Sequence, residues 1–144
     1  MNATTAAALV RRFSALAPTA TALWGNMSVE EMLYHCAVVN SAIISSKPSG
    51  KAPTLKQRVL KFMVLRVVQR LPQGAPTNPL FLRQGAQVLD FETEKQRLLG
   101  SIAEFADYSG PLLGTHPVFG TLTTEEWRTF VLIHLKHHLK QFRG

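Results

Sequence analysis

The chain has 144 residues with a formal net charge of +7, and that length fits one domain, residues 1–144, with room for a real core. Its 46% hydrophobic and 17% charged content excludes a disordered chain, and no apolar run reaches the ~18 residues a bilayer span requires. A single cysteine, Cys36, excludes an internal disulfide and suits a reducing compartment, so the expected location is the cytoplasm.

Helical periodicity runs through the sequence, and no alternating strand pattern stands out. Ala6, Leu9, Val10, Phe13 and Leu16 form one apolar stripe, and Pro18 stops that helix soon after. Arginines follow the small apolar stretch at the start instead of preceding it, which is the wrong order for a signal peptide. Ser28 with Glu31 three residues on is a capping box that opens a second helix to about Ser46. Residues 47–53 (KPSGKAP) read as a loop, 54–71 as an additional short helix, and 72–79 (PQGAPTNP) as another break. A fourth helix begins near Asp90 and points Phe91, Leu98, Ile102, Phe105 and Ala106 inward. Residues 110–120 (GPLLGTHPVFG) form a loop, and Thr123 with Glu126 makes a second capping box for the last helix, to about Phe142. The expectation is an all-α fold of five helices, four of them long enough to build a bundle.

The charge is uneven. Between Met32 and Leu89 there is no Asp or Glu, while eight Lys or Arg residues fall from Lys47 to Arg83. Such a field attracts anions and also promotes solubility. No zinc-finger spacing, aromatic RNA-binding signature or helix-turn-helix accompanies it, so no nucleic-acid partner is expected. In the 54–71 helix, Leu60, Val64, Val67 and Leu71 make one stripe, while Leu55, Val59, Phe62 and Leu65 lie elsewhere among arginines. A helix apolar on several sides is packed between elements, here under the 72–89 loop, or it forms a homodimer contact or a basic membrane-surface helix.

The last helix carries the chemistry. At ~100° per residue, Trp127, Phe130, Val131, His134, His138 and Phe142 fall in one arc, so two histidines four apart stack on the core-facing side. His137 lies on the flank. Buried neutral imidazoles each keep a donor and an acceptor to satisfy, and a shared ion can take the acceptors. His35 shares its helix face with Met32, Val38, Val39 and Ala42 and points inward too. Three nitrogen ligands suffice for zinc, nickel or iron with a position left open. Spacing alone leaves this reading level with hydrogen-bonded core histidines, since HxxxH without a catalytic Glu is a weak motif.

MLYHC around His35, and HLKHHLKQF carrying His134, His138 and Gln141, resemble the DinB-like superfamily of metal-binding four-helix bundles. The closer likeness is to a little-characterised branch, through LWGNMSVEEMLYHC and HPVFGTLTTEEW…HLKHHLKQF. It covers essentially the whole chain. The resemblance implies a metal held by His35, His134 and His138. It also implies activation of a low-molecular-weight thiol for S-transfer as one possible chemistry, and hydrolysis needs the same kind of site. A small-molecule substrate follows if the protein is an enzyme. Where the family carries a glycine before the glutamine, this chain has Lys140. The remaining pocket candidates are Glu31, His116 and Trp127. For Glu31 the capping role competes with a catalytic one; for His116 a bond to backbone competes with proton shuttling; for Trp127 core packing competes with a pocket wall. No general base declares itself. A metal site without turnover is therefore the alternative to an enzyme.

Overall fold

Polar caps set the helix starts in the computed structural model, which describes residues 1–144. Helix α1 (Ala3–Ser14) begins where Asn2 Oδ1 accepts from Thr5 N at 2.8 Å. Helix α2 (Val29–Ser45) opens on the Ser28–Glu31 capping box, and α3 (Leu55–Phe62) on a box formed by Thr54 and Gln57. Asp90 caps α4 (Phe91–Asp107), and Thr123 with Glu126 caps α5 (Thr124–Gln141). Each box satisfies backbone N–H groups that the first turn leaves without helical partners. The fold is all-α apart from one hairpin that runs just past the end of the 110–120 loop, where β1 (Thr115–His116) pairs antiparallel with β2 (Gly120–Thr121).

The long helices run in two directions. Asn40 Nδ2 donates to Ser101 Oγ at 3.1 Å, and Arg97 lies over the Tyr34 ring, so contacts advance the same way along α2 and α4. Against α5, α2 runs the other way: His35 meets His134, whereas Ser46 and Trp127 both pack on Gly114. At the far end of the bundle, the Arg12 guanidinium of α1 bonds the Gly144 carbonyl. Phe13, Met32, Leu33, Leu98, Ile102, Phe105, Val131, Leu135 and Leu139 fill the space between the four helices. Because α2 and α4 are parallel, a short turn cannot join them, and residues 46–90 make a long crossover.

That crossover departs from the sequence expectation. Regular helix ends at Phe62, and Met63–Val68 continue as a wider π turn that stops at Gln69 in the left-handed region (φ 50°). Three of those six residues are β-branched valines, which crowd a regular helical turn. Leu65 is buried there, and Leu60 and Val64 pack on the core. On the same inner side, Lys61 Nζ pairs with Glu126 Oε2 at 3.0 Å. The expected packing under the 72–89 loop does not extend to Leu55, Val59, Phe62, Met63 and Val67, which are exposed. Farther on, Pro79–Phe81 forms a single 3₁₀ turn capped by Asn78 Oδ1. No helix is long and apolar enough to cross a membrane.

Candidate metal centre

Helix α5 buries Trp127, Phe130, Val131, His134 and His138 along its inner side, as its periodicity requires. His134 and His138 lie edge-on to each other with ring centroids 4.7 Å apart, the closeness that i, i+4 neighbours provide. From the antiparallel α2, His35 enters between them, with centroids 5.0 Å from His134 and 5.1 Å from His138. One ligand nitrogen from each ring lies within 4.8 Å of the other two, and all three side chains are buried.

Hydrogen bonds turn two of these rings. His35 Nδ1–H donates to the Phe81 carbonyl at 3.1 Å, and His138 Nδ1–H donates to Gln141 Oε1 at 2.8 Å. Each bond leaves the Nε2 lone pair of its ring free to face inward. Gln141 is itself held, since its Nε2 donates to the Trp24 carbonyl at 2.8 Å. Gly25 (φ +79°) makes that approach possible, because a Cβ there would stand 3.2 Å from Gln141 Nε2. The close backbone approach to this glutamine is therefore at Gly25, and Lys140 is exposed.

The protein alone does not satisfy the trio. His35 Nε2 and His134 Nε2 stand 3.0 Å apart, where the His134 N–H donates to the His35 lone pair. That tautomer leaves His134 Nδ1 buried without a partner. A buried lone pair without a donor is costly. Nitrogens held about 2.1 Å from one tetrahedral ion are about 3.4 Å apart, inside the 3.0 to 4.8 Å that these atoms span. The donor set fits a borderline transition metal, and the backing of Nδ1 by a carbonyl and an amide is the arrangement that metal-binding histidines use.

Burial keeps the site neutral. It holds the pKa of His138 down to about 3, with the His35 ring adding to the effect. His134 is held well below 6.5 by burial and then by the neighbouring histidines, and His35 is lowered by burial against the opposing Phe81 bond. Neutral imidazoles are the form that ligates.

The other candidates take distinct places. Glu31 Oε2 accepts from Ser28 N at 2.9 Å, and Oε1 pairs with Arg83 Nε at 3.3 Å, so this carboxylate is engaged outside the cluster. His116 Nδ1 accepts from the backbone N–H groups of Val118 and Phe119, and its ring stacks on Phe119. Phe130 stands between His116 and His134, 4.8 Å from the first and 5.6 Å from the second. Burial lowers the His116 pKa to about 4. Trp127 Nε1 donates to the Gly114 carbonyl, and its ring packs on Phe130. His137 lies outside the cluster, edge-on to Trp24. Cys36 is wholly buried, its thiol pKa raised by burial and its Sγ 3.9 Å from Met32 Sδ, and it belongs to no ligand set.

Two contributors escape sequence reasoning. The Phe81 carbonyl is a backbone group from the crossover, and only the Asn78–Pro79 turn signal marks its neighbourhood. Trp24 acts through its carbonyl and not its indole. Glu94 is buried as well, but it pairs with Arg97 on α4 and stands outside the histidine cluster.

No curated protein and no solved structure matches the chain. The model of the family described as "Protein of unknown function (DUF1569)" matches residues 1–144, and the chain belongs to that family.

Proposed function

We propose that His35, His134 and His138 hold a divalent transition metal (zinc, nickel or iron) in a single DinB-like bundle domain, and that the protein is a metal-dependent transferase or hydrolase. The observation that carries this reading is the convergence of three buried neutral imidazoles, two of which, His35 and His138, are backed at Nδ1 by Phe81 and Gln141. Resemblance to the DinB-like superfamily supports it, and favours a low-molecular-weight thiol as cosubstrate. With His35, His134 and His138 as uncharged ligands, a bound ion would keep its charge and would lower the pKa of a water or thiol beside it. The chain's own residues orient the ligands: Phe81 fixes the His35 ring, Gln141 fixes His138, and Phe130 stacks on His134.

The test is metal analysis of untagged protein from metal-replete cells beside the His35→Ala, His134→Ala, His138→Ala triple variant. Roughly one ion per chain is expected in the wild type, consistent with one three-nitrogen site. Equal metal in both proteins would remove the proposal.

A second reading is a metal-binding module without turnover. It is favoured by the engagement of Glu31 with both Ser28 and Arg83, which leaves no free carboxylate at the cluster. Turnover of thiol–electrophile pairs or activated esters, abolished by a chelator, selects the enzyme. Chelator-sensitive stability without turnover selects the module.

A further inference from the structure

We infer that the outer face of α3 and its π turn docks on an anionic lipid surface. This inference is independent of the metal reading. Of the eleven large hydrophobic side chains that the molecule exposes, six fall within residues 55–68: Leu55, Val59, Phe62, Met63, Val67 and Val68. Scattered apolar residues on a surface are ordinary, whereas a cluster on one short helix marks an interaction site.

The arrangement of the helix identifies the partner. At ~100° per residue, Leu55, Val59, Phe62 and Met63 occupy an outward arc of about 100°. Arg58 stands at one edge of that arc and Lys56 at the other. The opposite side is the one that packs on the protein, through Leu60, Val64 and the Lys61–Glu126 ion pair. Lys56, Arg58, Arg66 and Arg70 make no ion pair. An apolar stripe with basic flanks, facing away from its own core, is the pattern of a helix lying at a membrane interface. Apolar side chains enter the acyl boundary, and the cations stay among the headgroup phosphates.

A second copy of the chain fits this face poorly. An isologous contact would set Lys56, Arg58 and Arg66 against the same residues, with no acidic residue between positions 33 and 88 to separate them. A nucleic acid would meet the cations but leave the apolar stripe in water. Anionic lipid satisfies both.

The test is flotation with phosphatidylcholine vesicles, with and without phosphatidylglycerol, at low and high salt. The wild type is expected to float with the anionic vesicles at low salt and to be released by salt. Arg58→Gln with Arg66→Gln should weaken binding about fivefold per residue. Val59→Ser with Phe62→Ser should weaken it more than about tenfold through lost apolar burial. Leu80→Ser, at an exposed leucine outside this helix, should leave it unchanged. All these sites are on the surface, and unchanged thermal melts verify that the variants fold. Three results would overturn the inference: no flotation with anionic vesicles at low salt, serine variants that bind like the wild type, or a dimer in gel filtration that the Val59/Phe62 pair splits.

Discussion

Gln141 shows how one side chain can tie a surface loop to a buried ring. It accepts from His138 with its oxygen and donates to the Trp24 carbonyl with its nitrogen, so the glutamine cannot turn without breaking a bond. On the metal reading, Gln141→Leu should lower metal affinity 10- to 100-fold, measured by competition with a chromogenic chelator, while the melting transition stays cooperative. His116 has a different role, in the loop hairpin. Its native pKa of about 4 lies below the 6.5 of a free histidine, so the unfolded chain takes up a proton that the native ring resists. Stability is complete above about pH 6.5 and falls by up to roughly 3 kcal/mol as the pH drops toward 4. In His116→Asn, whose Oδ1 can accept from the same N–H groups, that part of the decline should vanish from urea melts at stepped pH. The i, i+4 pair on α5 was legible because a helix places residues by arithmetic, whereas Gln141 was marked only by the family resemblance. The bond from His35 to Phe81 was not legible, because it joins residues 46 apart in sequence through a 3₁₀ turn that has no periodicity.

Capping chemistry made the ends of the elements readable. Ser28 with Glu31 and Thr123 with Glu126 announced α2 and α5 to the residue, and Asp90 announced α4. Glu126 both completes its box and receives Lys61 from α3, and its carboxyl is held below the usual range by the Thr123 and Lys61 bonds against the cost of burial. Thr123→Ala removes the Oγ1 that accepts from Glu126 N, and should cost about 1 kcal/mol in denaturant unfolding. The break in the 54–71 segment was not legible. The apolar pattern there continues past Phe62, and the π turn that interrupts it is chosen by how Leu65 seats in the core while three valines avoid crowding. Sequence could show an apolar excess on that helix; only the assembled bundle shows which side has no partner.

For the molecule as a whole, the crossover from α2 to α4 decides what the bundle can bind. It lets two neighbouring helices run parallel, and on its way it delivers the Phe81 carbonyl to the back of His35. Helix count and all-α class followed from periodicity, whereas strand-like order in the 110–120 loop is too short to show as alternation. If the three histidines hold an ion, native chain alone binds it, since the unfolded chain scatters the ligands. Saturation at about a hundred times Kd should then add about 2.7 kcal/mol, read as a higher melting temperature that a chelator abolishes and the His35→Ala variant never shows.

Cys36, sealed between α2 and the core beside His35, turns this architecture into a clock. A thiol that is wholly buried and resists ionisation cannot meet a water-borne disulfide reagent while the helices stay together. Its labelling rate therefore counts openings of the bundle at the level of the histidines, one residue away. Ligands that hold those histidines together should slow the count in proportion to their occupancy, with no engineered probe in the chain.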